Sequence, residues 1–370
     1  MTDLTSKYMI NGPNNIVRLE NGEKILYIFG DIHWDVDIQQ ECAINDDYES
    51  IDIDKLLLKF IKKEKNIQYD LFIEEGKLDF IHIDNVTFRN IYINKIRILI
   101  NSKIEFDKNK IITNKKYPNF RVHYSDIRES LLYFSNLNKY YFAPTIYKYT
   151  LLALKNEIEY HQLILLDLKN LLIYLESNDN KYINKIKNVY NDKNIQKKIN
   201  NIFKEIIITN LNEIIKNTSD IIVYISTNID KMINIDIYLK NIDKISYEIY
   251  LKIKNNKETI LWLGVVLTDL YLIRRFLDKD YIKKSILYTG LAHMTNILFI
   301  LVKYFNFKLT NIFYSNSSFN LDNIKNLLIK NLPIKNFEYI NSTFNIFTHY
   351  NENYEITQCS NLFNFPPNFT

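Results

Sequence analysis

The sequence predicts an α/β fold: a mostly parallel sheet flanked by helices, with a large all-helical insertion between the third and fourth core strands. Three observations predict it. Apolar runs of strand length alternate with helix-period segments over residues 23–128 and again from 285, and strand–helix–strand spacing implies parallel pairs joined by crossovers. From about 130 to 280 the residues read as helix, almost without glycine or proline. Two of the six glycines stand in one four-residue form, each after an apolar run: Gly30-Asp31-Ile32-His33 and Gly290-Leu291-Ala292-His293. A glycine at a strand end lets the backbone turn sharply, and the carboxyl ends of strands are where an open α/β sheet presents its ligands.

The elements follow in order. Residues 23–30 read as a buried strand and 35–54 as an acidic, solvated connection. Residues 53–65 place Leu56, Leu57, Phe60 and Ile61 at helical spacing. Residues 69–75 read as a second strand closed by Gly76, and 119–127 as a third. Helices fill the middle, through 145–176 and on to 258–277. The α/β pattern resumes with a strand at 285–289, a helix at 292–304, a strand at 307–314, a helix at 321–331 and a strand near 337–347. Residues 358–370 read as a loose aromatic tail. The division expected is therefore a first α/β half (1–130), a helical insertion (131–256), a second α/β half (257–350) and a tail (351–370).

Composition excludes several classes. The chain has 370 residues, 47% of them hydrophobic, ample for a core. The net charge of +4 is spread along the chain, with lysines mixed among acids and asparagines, so no nucleic-acid partner is expected. Residues 260–273 and 296–305 are too short or too interrupted to span a bilayer, and residues 1–15 carry no secretory signal pattern. Two cysteines, Cys42 and Cys359, make no disulfide framework and point to a reducing compartment. An intracellular, cytoplasmic protein is expected. The excess of Ile, Asn, Lys, Tyr and Phe reflects AT-rich codons, as in a large DNA virus or an AT-rich protist. A viral protein would lie in the host cytoplasm or the virion.

The chemistry-bearing residues collect at the expected strand ends. The first strand offers Asp31 and His33, the second Glu74 and Glu75, and the late strand His293. The third carries Arg121, His123, Asp126 and Arg128. Carboxylates and imidazoles so placed can bind a divalent metal or act as general acid and base, and an arginine can hold an oxyanion. Asp126 and Arg128 equally suit a structural salt bridge, and Glu74–Glu75 a solvated strand end. His82, His161 and His349 have no motif context. Asp269 stands in an otherwise apolar helix and needs a partner there, with Arg274, Arg275 and Arg128 as candidates.

The Gly-x-x-His turn after the first strand, the Tyr-Asp-Leu-Phe-Ile-Glu strand and the late block Leu287-Tyr-Thr-Gly-Leu-Ala-His-Met followed by Phe305-Asn-Phe-Lys-Leu resemble the erythromycin-esterase/ChaN-like superfamily, which includes the TraB and TIKI proteins. The segments 121–128 and Asp269-x-Tyr271 are similar to members from giant DNA viruses. The resemblance covers residues 23–128 and 260–315 and leaves out the helical middle. It puts the family's paired histidines on His33 and His293 and its strand-end glutamate on Glu74. Asp31 stands where many members carry glutamate.

The resemblance implies a hydrolase of ester or amide bonds acting on an unknown substrate, with no organic cofactor. In a metal version His33, Glu74 and His293 hold a divalent ion (Mn, Co or Zn). In a metal-free version His33 is the general base, oriented by Asp31 or Glu74, and Arg121 or Arg128 steadies the oxyanion. Calcineurin-like phosphoesterases also begin Gly-Asp-x-His, but their Gly-Asp-x-x-Asp, Gly-Asn-His and Gly-His-x-His blocks are absent. A non-catalytic interaction protein on a degenerate hydrolase fold is the remaining alternative.

Overall fold

The structure, a computed structural model, describes residues 8–38, 42, 49–63, 67–74, 90–103, 117, 119–128, 131, 151–231, 235–313, 322, 324, 357–366 and 369. In chain order the first elements are β1 (Tyr8–Asn11), β2 (Asn15–Asn21), β3 (Lys24–Asp31), β4 (Glu49–Asp52), α1 (Ile53–Lys63), β5 (Tyr69–Ile73), α2 (Tyr92–Lys103) and β6 (Phe120–Tyr124). Helices α3 (Leu151–Glu176), α4 (Lys181–Asn188), α5 (Lys193–Ile202), α6 (Thr209–Lys231) and α7 (Ile235–Asp278) follow. The last elements are β7 (Lys284–Gly290), α8 (Leu291–Phe305), β8 (Lys308–Phe313) and β9 (Cys359–Asn361). The chain forms two compact units.

The first unit, Met1–Asp126 with Leu272–Pro333 and Glu338–Thr370, holds both sheets. The larger sheet runs β6-β5-β7-β3-β2-β8. Its β6/β5, β5/β7 and β7/β3 pairs are parallel, and β2 is antiparallel to both β3 and β8. The sheet is thus mixed. Strand β2, which the apolar-run pattern leaves unmarked, returns into β3 through a two-residue turn begun by Gly22, whose φ of 58° suits the first turn position of a tight hairpin.

One face of this sheet packs on α1 and α2. Tyr27, Phe29, Leu71, Ile73, Val122 and Ile286 meet Leu56, Leu57, Phe60, Ile96 and Ile100 in one buried cluster. The four apolar positions expected on α1 all lie in that core. Helix α8 packs on β3, so closely that a Cβ on Gly30 would stand 2.5 Å from Met294 Sδ.

The smaller sheet, β4-β1-β9, corrects two expectations. Part of the acidic connection forms β4, parallel to β1. The aromatic tail is not loose: β9 pairs antiparallel with β1, and Leu362, Phe365 and Phe369 are buried. Phe369 packs edge-on to Tyr27 and Phe60 at 4.8 and 4.5 Å. Short strands paired across most of the chain carry no local period, so the sequence pattern misses them. Cys42 and Cys359 are joined in a disulfide with Cα atoms 5.3 Å apart, which overturns the expectation of free, reduced cysteines. At a sequence separation of 317, spacing gives no hint of the pair.

The second unit, Ile127–Tyr271 with Ile334–Phe337, is helical throughout its described elements. On α3 the residues Ile164, Leu168, Leu171 and Leu175 form the buried stripe of an amphipathic helix. Asn180 and Asp192 cap α4 and α5 by accepting from backbone N–H groups of the first turn. Among the described residues no helix is long and apolar enough to cross a membrane. Of the helix expected at 321–331 only Asp322 and Ile324 are described, both helical, and the strand expected near 337–347 lies outside the described residues.

Candidate functional site

Three neighbouring parallel strands bring the candidate residues together. Asp31 at the end of β3 is in register with Gly290 at the end of β7, and Ile73 at the end of β5 with Tyr288. Glu74, next after β5, donates its backbone N–H to the Tyr288 carbonyl at 3.2 Å. Asp31, Glu74 and Gly290 are therefore nearly level.

At the first turn Asp31 Oδ1 accepts from the backbone N–H of His33 at 3.0 Å, closing a short side-chain turn. The same carboxylate meets His33 Nδ1 at 3.2 Å through Oδ2. The fold holds His33 at φ 56°, the left-handed region that a residue with a Cβ normally avoids. Strain of this kind persists where the surroundings over-determine it, and such places are often functional. Asp31 is fully buried. It accepts from the Tyr288 hydroxyl at 2.8 Å and from the Gln358 side-chain amide.

At the second turn Gly290 is the N-cap of α8, which puts His293 in the helix's first turn. Glu74 Oε2 accepts from the Gly290 N–H at 2.6 Å and the Thr289 hydroxyl at 2.9 Å, and Oε1 lies 3.0 Å from His293 Nε2. A carboxylate at a helix amino terminus is favoured by the helix dipole. His33 Nε2 approaches Glu74 Oε2 at 3.5 Å and links the two turns. A Cβ on Gly290 would stand 3.1 Å from His33 Nε2 and 3.3 Å from Glu74 Oε2, so the glycine leaves room for the array.

The side chains differ in access. His33 is 30% exposed, while Glu74, His293 and Asp31 are at 9, 4 and 0%. Burial disfavours a charged His33, but its hydrogen bonds to Asp31 and Glu74 and their charges prevail and raise it to about 10. Burial likewise opposes ionisation of Glu74, and the charges and hydrogen bonds of His293 and His33 hold it well below the usual carboxylate range. Tyr288 is pushed well above its ordinary value by burial and by Asp31.

Arg121 and His123 do not join this array. As the second and fourth residues of β6, they converge on Asp70, the second residue of β5. Arg121 donates to both Asp70 oxygens at 2.7 Å and to the Tyr281 carbonyl at 2.9 Å. His123 Nε2 lies 2.6 Å from Asp70 Oδ1. Arg121 is thus committed to Asp70 rather than to an oxyanion at His33. Asp126 follows β6, half-buried. Arg128 and the buried Asp269 belong to the second unit. Glu75 lies outside the described residues.

Tyr288, Thr289 and Gln358 join the array although the sequence singled out none of them. Tyr288 and Thr289 stand inside the quoted late block, and their alternation along β7 was the available signal. Gln358 gave none.

The donor set does not fit a metal ion as it stands. Among the described residues no group of three or more His, Cys, Asp or Glu side chains is arranged to hold one. The imidazoles face the carboxylates as direct pairs.

Residues 8–180 and 174–370 match the model of a family of unknown function (DUF5847). An uncharacterised protein of Acanthamoeba polyphaga mimivirus is 29% identical over 97% of this chain and 98% of its own length. A second from the same virus is 28% identical over 84% of this chain and 87% of its own length. A third is 34% identical over 34% of this chain and 77% of its own length. No solved structure matches the chain.

Proposed function

We propose, for a chain that belongs to the DUF5847 family, that it is a hydrolase of ester or amide bonds in which Glu74 carries the proton and His33 steadies the oxyanion. One observation carries this reading. Two imidazoles and two carboxylates from adjacent strand ends form one linked array, and its strained member, His33, is the one that reaches solvent.

The chemistry follows from the loosest contact. His33 Nε2 is 3.5 Å from Glu74, so its N–H can turn to an incoming carbonyl oxygen with little loss. As an imidazolium it is a charged donor for the oxyanion that develops there. This replaces the base role expected of His33, since a group holding its proton to about 10 is an acid at neutral pH. Once His33 turns away, Glu74 loses one of the partners that hold it ionised and becomes the better base. It takes a proton from the attacking water and returns it to the leaving oxygen or nitrogen. Asp31 keeps His33 charged and oriented, and His293 holds the other oxygen of Glu74.

The test is hydrolysis of nitrophenyl esters of graded chain length and of a peptide library, by wild type, His33→Gln and Glu74→Gln. Each is assayed with a chelator and with added Mn, Co or Zn. The expected result is chelator-resistant activity that falls roughly 10²–10⁴-fold in either variant. Activity that needs an added metal would favour a metal-bound water held by His33, Glu74 and His293. A wild type that cleaves nothing, or a His33→Gln protein at full rate, would sink the hydrolase reading.

A further inference from the structure

We propose that the Cys42–Cys359 disulfide keeps the His33 array assembled through Gln358, and that its reduction by a dithiol takes the array apart. The proposal rests on the reading of that array as the working site and adds a control to it.

Gln358 immediately precedes Cys359, the first residue of β9. Its amide donates to Asp31 Oδ1, the carboxylate that orients His33. Gln358 is 2% exposed, and its Oε1 is buried with no hydrogen-bond partner among the described residues. A buried amide with an unmet acceptor costs free energy to keep in place, so something else must hold it there.

Few contacts do so. Strand β9 has three residues, paired with β1 among the described strands. The backbone adds the Gly12 N–H to the Gln358 carbonyl at 3.0 Å and Asn14 Nδ2 to the Thr357 carbonyl. So short a pairing is marginal by itself. The covalent tie is the disulfide, and its other end is fixed where the Cys42 N–H donates to Asn11 Oδ1 at 3.0 Å on β1. Farther along, Phe365 and Phe369 sit in the aromatic core. Reduction therefore loosens residues 357–361 and leaves the core packed.

The chemistry balances with a dithiol reductant. Two electrons and two protons pass to the disulfide, giving two cysteine thiols and an intramolecular disulfide in the reductant. Cys42 and Cys359 are 2% and 8% exposed, so exchange proceeds through local opening of β9. Once Gln358 withdraws, water reaches Asp31 and screens it from His33.

The test reads the His33 ring by NMR, assigned from the His33→Gln spectrum. Wild type and Gln358→Ala are compared, oxidised and after dithiothreitol, with thiols counted by alkylation. Reduction is expected to lower the His33 titration midpoint by about one unit or more, reversibly on reoxidation. Gln358→Ala should lower it comparably while oxidised, and reduction should then add little. A midpoint unmoved by complete reduction overturns the proposal. So does a Gln358→Ala protein that matches wild type, or loss of the whole fold on reduction. The midpoint is read whether or not any substrate is cleaved. A protein without hydrolytic activity whose His33 still responds would refute the hydrolase reading and leave the disulfide link standing.

Discussion

At the carboxyl ends of β3, β5 and β7, His33 faces two carboxylates and is raised to about 10. At Asp70, near the amino end of β5, His123 of β6 faces a carboxylate and is lowered to about 4. Burial opposes the charged form in both. His123 has the shorter carboxylate contact, 2.6 Å against 3.2 Å, yet it is the one that gives up its proton. The difference lies in the company. Asp70 is shared with the guanidinium of Arg121, and Arg275 adds a second positive charge near His123. His33 has Asp31 and Glu74. A histidine beside a carboxylate therefore says little until the surrounding charges are counted. By that count the carboxyl-end array favours a charged imidazole, and the Asp70 cluster a neutral one.

The strongest way to break this comparison is Asp70→Ala. It leaves Arg121 without its two-point partner and His123 without the carboxylate it bonds, at a fully buried position. Removing one partner of such a buried pair costs roughly 3–5 kcal/mol. Denaturant unfolding at pH 7 should show a loss of that order. A loss below about 1 kcal/mol would mean the cluster is not structural and the contrast between the two clusters fails.

Glu74→Gln sharpens it. Removing one of two carboxylates should lower the His33 midpoint by about one unit or more towards ~6.5, with His123 unmoved near 4. The linkage has a definite sign. Because folded His33 is raised above its unfolded value, its stabilising contribution is complete below ~6.5 and is lost as pH rises through about 10. The wild type should therefore lose stability over that window by an increment that Glu74→Gln lacks. His123, lowered in the fold, acts in the opposite sense, and stability rises with pH between about 4 and ~6.5. If both proteins follow the same curve above pH 6.5, Glu74 is not what charges His33.

Much of the carboxyl-end array was legible in the sequence because its residues sit at fixed offsets from strand ends. Two Gly-x-x-His turns and a glutamate closing an apolar run were enough to bring His33, His293 and Glu74 together. Strands β3, β5, β6, β7 and β8 and helices α1 and α8 could be read for the same reason, since each shows its own local period. Arg121 and His123 misled because side chains of one strand can turn to a carboxylate on the next, and residue type does not say which partner they serve. Gln358, β9 and the disulfide were illegible for a different reason. Their partners lie more than 300 residues away in sequence, and a three-residue strand has too little pattern to announce itself.

The smallest effect separates the two motif glycines. A methyl on Gly30 would stand 2.5 Å from Met294 Sδ and 2.7 Å from Leu291 Cδ2, so α8 must shift or the side chains must repack. Gly30→Ala should therefore cost about 1–3 kcal/mol, as overpacking does. Gly290 has an ordinary φ of −64°, and the nearest atoms to its methyl would be His33 Nε2 and Glu74 Oε2, at 3.1 and 3.3 Å. Those side chains need give only a few tenths of an ångström. Gly290→Ala should leave unfolding within about 0.5 kcal/mol of wild type and should register in the His33 midpoint instead, by less than about one unit. In one motif the glycine then serves helix packing, and in the other it serves the His33 array. If Gly290→Ala proves the more destabilising of the two while His33 titrates unchanged, that assignment is reversed, and the symmetry of the two motifs means something other than shared chemistry.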